Sequence, residues 1–335
     1  MSTTAWLASS GASCAIVAAG TPIVRRLAVA KGVVDHPGGH KSHRTPVPYL
    51  GGLAIMAGAV LAQLAVAGQA GVPARTAVIL LAAVALGLVG AIDDRRNLHP
   101  VPRLAAQAAA AVAAVTVGAE VHITGNPVAD GIATVVWIVA MTNALNFLDN
   151  MDGLASCIAA TSAASAFVLA SAAGQTVVAT AASAVFGACL GFLLYNRRPA
   201  SIYMGDAGSL FLGYLLAIVV LQVDPAQTQP RSWVVPALLL GLPVLDTTTV
   251  MVGRWRNGRT LYLGGRDHLS HRLVALGWAP TDAVLTLVGC QALLGGLAIL
   301  VGRRVLPVWL GLLASGGVVV ALLLLCLSAR VYREP

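Results

Sequence analysis

Residues 76–92 read TAVILLAAVALGLVGAI, and Asp93, Asp94, Arg95 and Arg96 follow without a spacer. An uncharged run of that length rises about 26 Å as an α-helix, close to the ~30 Å hydrocarbon core of a bilayer. The charged quartet then marks where the helix meets the membrane surface. The same pattern, an apolar run rich in Ala, Leu, Val and Gly closed by charge, recurs along the whole chain. Spans are expected at about 5–24, 49–70, 76–92, 104–119, 131–147, 154–173, 176–195, 208–223, 232–252, 281–301 and 306–328, eleven in all. The expected fold class is all-α, a polytopic integral membrane protein with one transmembrane domain over residues 1–335.

Composition agrees. The chain is 58% apolar and only 10% charged, with a mean hydropathy of +0.82, whereas a soluble domain carries about 25% charged residues. The opening MSTTAWLASS has no basic n-region, so the first apolar run is expected to stay as a helix. Cys14, Cys157, Cys189, Cys290 and Cys326 fall singly inside apolar runs, which excludes a CxxC-type zinc or redox site and leaves them as packing residues.

The net charge of +8 does not imply nucleic acid, because the basic residues punctuate the spans. With the N-terminus outside, seventeen of the 21 lysines and arginines fall on one side, and only Arg75, Arg231, Arg303 and Arg304 on the other. The positive-inside rule makes the richer side cytoplasmic, the C-terminus included. Asp35, Asp93, Asp94, Asp149, Asp152, Asp206, Asp246 and Asp267 all sit at or near cytoplasmic span ends. Carboxylates at such depth are expensive and mark function.

Several segments combine these carboxylates with chemistry. Adjacent Asp93 and Asp94 suit a hard divalent cation or a proton acceptor, although alone they also fit a solvated helix end with Arg95 and Arg96 as counter-charges. Asn143, Asn146, Asp149 and Asp152 repeat every three residues, which on a helix forms one slowly drifting polar face that cannot meet lipid. Gly153 is placed to end or bend that turn. Asp206 stands between Gly205 and Gly208 just before the eighth span, where backbone amides bind phosphate.

Asp246 near the inner end of the ninth span also fits a buried carboxylate bonded to hydroxyls such as Thr247. The last cytoplasmic loop holds Arg266, Asp267, His268, Ser270, His271 and Arg272, a set better suited to phosphates than to zinc. The first loop, from Asp35 to Gly52, is shaped by Pro and Gly and carries Lys41 and His43, cations able to grip a diphosphate or a lipid phosphate.

Together these segments, in this order from Asp35 to Leu273 and on one membrane face, resemble the polyprenyl-phosphate N-acetylhexosamine-1-phosphate transferases. That family includes the WecA/TagO-type initiating enzymes and the phospho-MurNAc-pentapeptide translocase. Asp93 and Asp94 match its paired aspartates, and Asn143 through Gly153 its NxxNxxDGxDGLA-like segment, with Asn150 in place of the first glycine. Gly205, Asp206, Gly208 and Ser209 match GDxGS, and Asp246 the aspartate of PxxD. His268, His271 and Arg272 match HxHHRL, with Ser270 where many members have a histidine. Lys41, His43, Pro46, Pro48, Gly51 and Gly52 resemble KxHxxPxPxxGG. The histidine loop looks closer to the WecA-like branch than to the translocase.

The resemblance implies transfer of a sugar 1-phosphate, GlcNAc-1-phosphate by default, from a UDP-N-acetylhexosamine to undecaprenyl or another polyprenyl phosphate, at the bacterial inner membrane. It implies Mg²⁺, with Mn²⁺ a chemically acceptable substitute, on Asp206 with Asp93 and Asn146. Catalytic roles would fall to Asp93, Asp94, Asp149, Asp152, His268 and His271, and substrate binding to Lys41, His43, Asn143, Asn146, Asp246 and Arg272. Nucleic acid is not an expected partner; a homodimer is compatible with the sequence but not indicated by it. The rival class is a cation- or proton-coupled transporter, whose carboxylates sit at the midplane on broken-helix repeats, a pattern not found here.

Overall fold

A computed structural model describes residues 3–35, 46–67, 71–223, 230–261, 265–329 and 331. Among the described residues the helices are α1 (Thr3–Ala30), α2 (Gly51–Ala67), α3 (Ala74–Arg96), α4 (Pro100–Thr116), α5 (Pro127–Leu148), α6 (Leu154–Ala172) and α7 (Thr176–Asn196). They continue with α8 (Gly205–Gln222), α9 (Arg231–Leu239), α10 (Gly241–Arg256), α11 (Leu269–Ala275), α12 (Pro280–Gly302) and α13 (Val308–Leu327). Two short antiparallel strands, β1 (Val34–Asp35) and β2 (Val47–Pro48), pair Val34 with Pro48 and Asp35 with Val47.

The protein is all-α and polytopic. Among the described residues eight helices, α1, α3, α5, α6, α7, α8, α12 and α13, are long and apolar enough to cross a bilayer, and the bent pair α9 and α10 makes nine. Each of the eleven apolar segments coincides with a helix or with that pair. The other two segments hold α2 and α4, each of 17 described residues.

Helix α8 forms the axis of the bundle, buried along nearly its whole length. Lipid is as apolar as leucine, so close backbone approach, not hydrophobicity, holds such helices together. Small residues supply it. A Cβ on Gly52 of α2 would run into the Gly208 backbone, and one on Gly213 would meet Thr142 of α5. Before α8, the backbone of Tyr203 and Met204 accepts the N–H groups of Gly51 and Gly52 at 3.0 and 2.9 Å, fixing the start of α2 beside the start of α8.

The ninth segment departs from the expected single span. It breaks at Leu240, and α10 turns 77° from α9. Pro236 and Pro243 flank the break and remove two backbone donors. The freed groups are satisfied from α12: Gln291 donates to the Leu239 carbonyl at 2.8 Å and accepts the Leu242 N–H at 2.9 Å. A break inside a membrane is tolerated only with such partners.

Candidate active site

The start of α8 carries the central carboxylate. Gly205 adopts φ +67°, and a side chain there would collide with the Asp94 carboxylate. That carboxylate accepts the N–H of Asp206 at 2.8 Å and of Ala207 at 3.2 Å. Asp94, at the end of α3, thereby caps a helix that begins more than a hundred residues later, matching a negative charge to the helix N-terminus. Gly90, one turn earlier, lets α3 press against the Asp206 carbonyl.

Asp206 aims its own carboxylate elsewhere. Its Oδ1 accepts from Asn146 Nδ2 at 2.7 Å, and Asn146 also donates to Ser209 at 2.8 Å. Its Oδ2 lies 3.2 Å from Arg103 Nη1, which simultaneously donates to Asp93 at 2.8 Å. Arg103 thus stands between two carboxylates, while its Nε is buried and has no partner among the described residues. The other Asp93 oxygen accepts the Leu98 N–H at 2.6 Å. One turn along α4 from Arg103, Gln107 bonds Asn143, which also donates to the Val139 carbonyl at 2.8 Å.

The three-residue stripe does not stay on one helix. α5 ends at Leu148, so Asp149 is its C-cap and Asp152 lies in the following turn. Gly153, at φ +77°, then starts α6, as its freedom at positive φ allows. Asp152 accepts the Ala200 N–H at 3.1 Å, and Asn196 accepts the Gly153 N–H at 3.1 Å, tying this turn to the end of α7. Asp149 keeps some surface but is enclosed by protein. Burial first, then repulsion from Asp206, Asp94 and Asp152, pushes its carboxyl up to about 8.

The histidine loop closes the other side. His268 Nδ1 lies 2.7 Å from Asp246 Oδ2, and Asp246 Oδ1 accepts the Leu269 N–H at 2.7 Å. Asp246 is 1% exposed, so it holds the loop and not Thr247, whose hydroxyl is buried without a partner. Arg254 grips Asp267 with two bonds of 2.7 and 2.8 Å, and Arg272 donates to the Asp267 carbonyl at 2.8 Å. Phe147 joins the two sides, with its ring edge-on to His268 at 6.2 Å and under the Arg254 guanidinium at 6.0 Å. Burial, then His268 and Arg266, lower His271 to about 4, so its ring is neutral near pH 7.

The structure therefore brings Asp93, Asp94, Asn143, Asn146, Asp149, Asp152, Asp206, Asp246, His268, His271 and Arg272 to one end of the bundle, while Lys41 and His43 lie outside the described residues. Among the described residues no three His, Cys, Asp or Glu side chains form a ready-made metal cage. A hard ion such as Mg²⁺ asks for less, one or two carboxylates completed by water and substrate phosphates. Asp93 and Asp206, bridged by one arginine whose Nε has no partner among the described residues, fit that requirement.

Sequence reasoning passed over Arg103, Gln107, Asn196 and Arg254. Arg103 and Gln107 carried a signal: a charge and an amide four apart on an otherwise Ala-rich helix, just behind Pro100 and Pro102. Beside this end of the bundle, a groove of about 670 Å³ runs between α10 and α13, lined by Leu245, Thr248, Val252, Leu323 and Leu327, with Arg256 and Arg272 among its walls.

Residues 76–224 match the model of glycosyl transferase family 4. Over 278 residues the chain is 34% identical to a Bacillus subtilis protein described as a probable undecaprenyl-phosphate N-acetylglucosaminyl 1-phosphate transferase, covering 80% of this chain and 76% of that one. It is 32% identical over 321 residues to the decaprenyl-phosphate N-acetylglucosaminephosphotransferase of Mycobacterium tuberculosis, covering 83% and 78%. To the Escherichia coli undecaprenyl-phosphate alpha-N-acetylglucosaminyl 1-phosphate transferase it is 26% identical over 291 residues, covering 82% and 78%.

Proposed function

This chain belongs to glycosyl transferase family 4, and on that premise we propose that it transfers N-acetylglucosamine 1-phosphate from UDP-N-acetylglucosamine to a polyprenyl phosphate, on the cytoplasmic face of a bacterial inner membrane. The observation that carries the reading is the convergence of Asp93, Asp206, Asn146 and Arg103 at the mouth of a membrane bundle, facing a loop of histidine and arginine. The cytoplasmic placement is supported by the charge asymmetry of the loops.

In the reaction an oxygen of the lipid phosphate attacks the β-phosphorus of the nucleotide sugar. The bond from that phosphorus to the bridging oxygen breaks, and UMP leaves with the oxygen and its electron pair. Two polyanions must meet, so positioning and charge neutralisation dominate catalysis. Mg²⁺ held by Asp206, Asp93 and the Asn146 amide would supply positive charge to the diphosphate.

The chain's own groups do the rest. Asp94 sets the position of Asp206 by holding the backbone that carries it. With Nδ1 committed to Asp246, His268 has Nε2 left for a phosphate oxygen. Arg103 holds Asp93 and Asp206 together through Nη1 and keeps its positive charge beside the incoming anion. Burial and the neighbouring carboxylates raise the Asp149 carboxyl, which suits it to donate a hydrogen bond to a substrate oxygen. No base is required, because a phosphate monoester loses its second proton near pH 6. The groove between α10 and α13 admits the isoprenoid chain from the side.

The test is UMP release from detergent-purified protein given undecaprenyl phosphate, Mg²⁺ and a panel of UDP-N-acetylhexosamines, beside Asp206→Ala. Lipid-dependent UMP that vanishes in the variant and on chelation is expected, and the panel names the sugar. A folded protein that releases no UMP from any of them would overturn the reading.

A further inference from the structure

Asn150 and Ser270, which stand where the motifs this chain resembles carry a glycine and, in many members, a histidine, touch each other. Ser270 Oγ donates to Asn150 Oδ1 at 2.7 Å, across 120 residues of sequence. Asn150 turns its amide nitrogen back to donate to the Phe147 carbonyl at 2.8 Å, satisfying an acceptor left open where α5 ends. Ser270 is 1% exposed, in the first turn of α11 between His268 and His271. The bond therefore ties the Asp149–Asp152 turn to the histidine loop, the two sides between which a diphosphate must sit.

A glycine at 150 would offer no side-chain acceptor, and an imidazole at 270 would add volume against Asn150 at a position that is 1% exposed. Either change alone breaks the fit; both together exchange a small residue and a large one across the same contact. We propose that Asn150 and Ser270 are a compensating pair of positioning residues, setting the separation of carboxylate turn and histidine loop, and with it the binding of the donor diphosphate, by a neutral bridge in place of the glycine and histidine of the family pattern. This rests on the transferase reading above.

The test measures kcat and KM for the UDP-sugar in the full-length protein, as N150G, S270H and their double variant, and again as N150A, S270A and their double. Loss of a buried hydrogen bond that positions substrate should raise KM in each single variant by about 5- to 20-fold. A merely structural contact would instead lower the active fraction and kcat. N150G/S270H is expected to return KM to within about threefold of wild type, and N150A/S270A to be no worse than its poorer single, the signature of coupled residues. If S270H does not fold, the alanine set decides by the same criterion.

Multiplicative doubles, silent singles, or losses confined to kcat in an active wild type would overturn this inference alone. A wild type inactive with every UDP-sugar would remove the transferase reading and this inference together.

Discussion

Asp94 touches Asp206 through the backbone, its carboxylate 2.8 Å from the Asp206 nitrogen, while the Asp206 side chain turns to Asn146 and Arg103. Two aspartates of one site are thus divided between holding and being held. Asp94→Ala should lower thermal stability, a lost helix cap costing on the order of 1 kcal/mol, and should lower activity with it. Asp206→Asn should abolish UMP release at an undiminished melting temperature, because it removes a charge crowded by Asp93, Asp94 and Asp149. Equal destabilisation by both would show that Asp94 is not the cap.

Arg103 shares one nitrogen between Asp93 and Asp206. In Arg103→Ala those carboxylates keep no cation between them, so the Mg²⁺ concentration for half-maximal activity should fall while kcat drops about tenfold or more, the cost of losing a charge aimed at the transferring phosphoryl group. Titration of UMP release against Mg²⁺ reads both effects; an unchanged Mg²⁺ requirement would contradict the shared site.

The Asp149 carboxyl, pushed up to about 8, keeps its proton below that pH and loses it above. Activity that uses it as a donor should decline on the alkaline side of pH 8. Asp152→Asn removes one of the charges that repel it, lowers its pKa and moves the decline to lower pH. Asp149→Asn, which keeps a donor but cannot ionise, should lose the decline altogether. A pH profile of kcat/KM on the three proteins decides, and an alkaline limb that survives in Asp149→Asn would assign it to another group.

Much of this was legible in the sequence. Uncharged runs of some twenty residues announced the helices, because a run of that length crosses hydrocarbon with its backbone satisfied as a helix, and Asp93 and Asp206 stood out as charges at their ends. What stayed hidden depended on partners far away in sequence. The break at Leu240 is stable only because Gln291 reaches it from α12. Arg103 was accounted for by loop charge, so nothing asked where its side chain went. The three-residue spacing of Asn146, Asp149 and Asp152 suggested one helical face, but Gly153 in the left-handed region closes a turn instead.

Gly90 bears no chemistry, yet a methyl group there would press on the Asp206 carbonyl and the Ala207 nitrogen. Gly90→Ala should destabilise the protein by about 1–3 kcal/mol, the usual cost of overpacking, and should cut kcat more than KM because it moves Asp206. Thermal unfolding beside UMP release checks it; wild-type values of both would mean that α3 can retreat from α8 without consequence.

The 77° turn between α9 and α10 also bears on how the enzyme meets its acceptor. A fence of helices with one post laid aside would leave an entrance in the plane of the bilayer, and an acceptor using it would arrive by two-dimensional diffusion. The encounter rate then follows the number of acceptor molecules per unit area of membrane, not their molarity in the tube. Diluting the polyprenyl phosphate with inert lipid at constant bulk concentration should slow turnover, as surface dilution slows any reaction whose substrate never leaves the membrane.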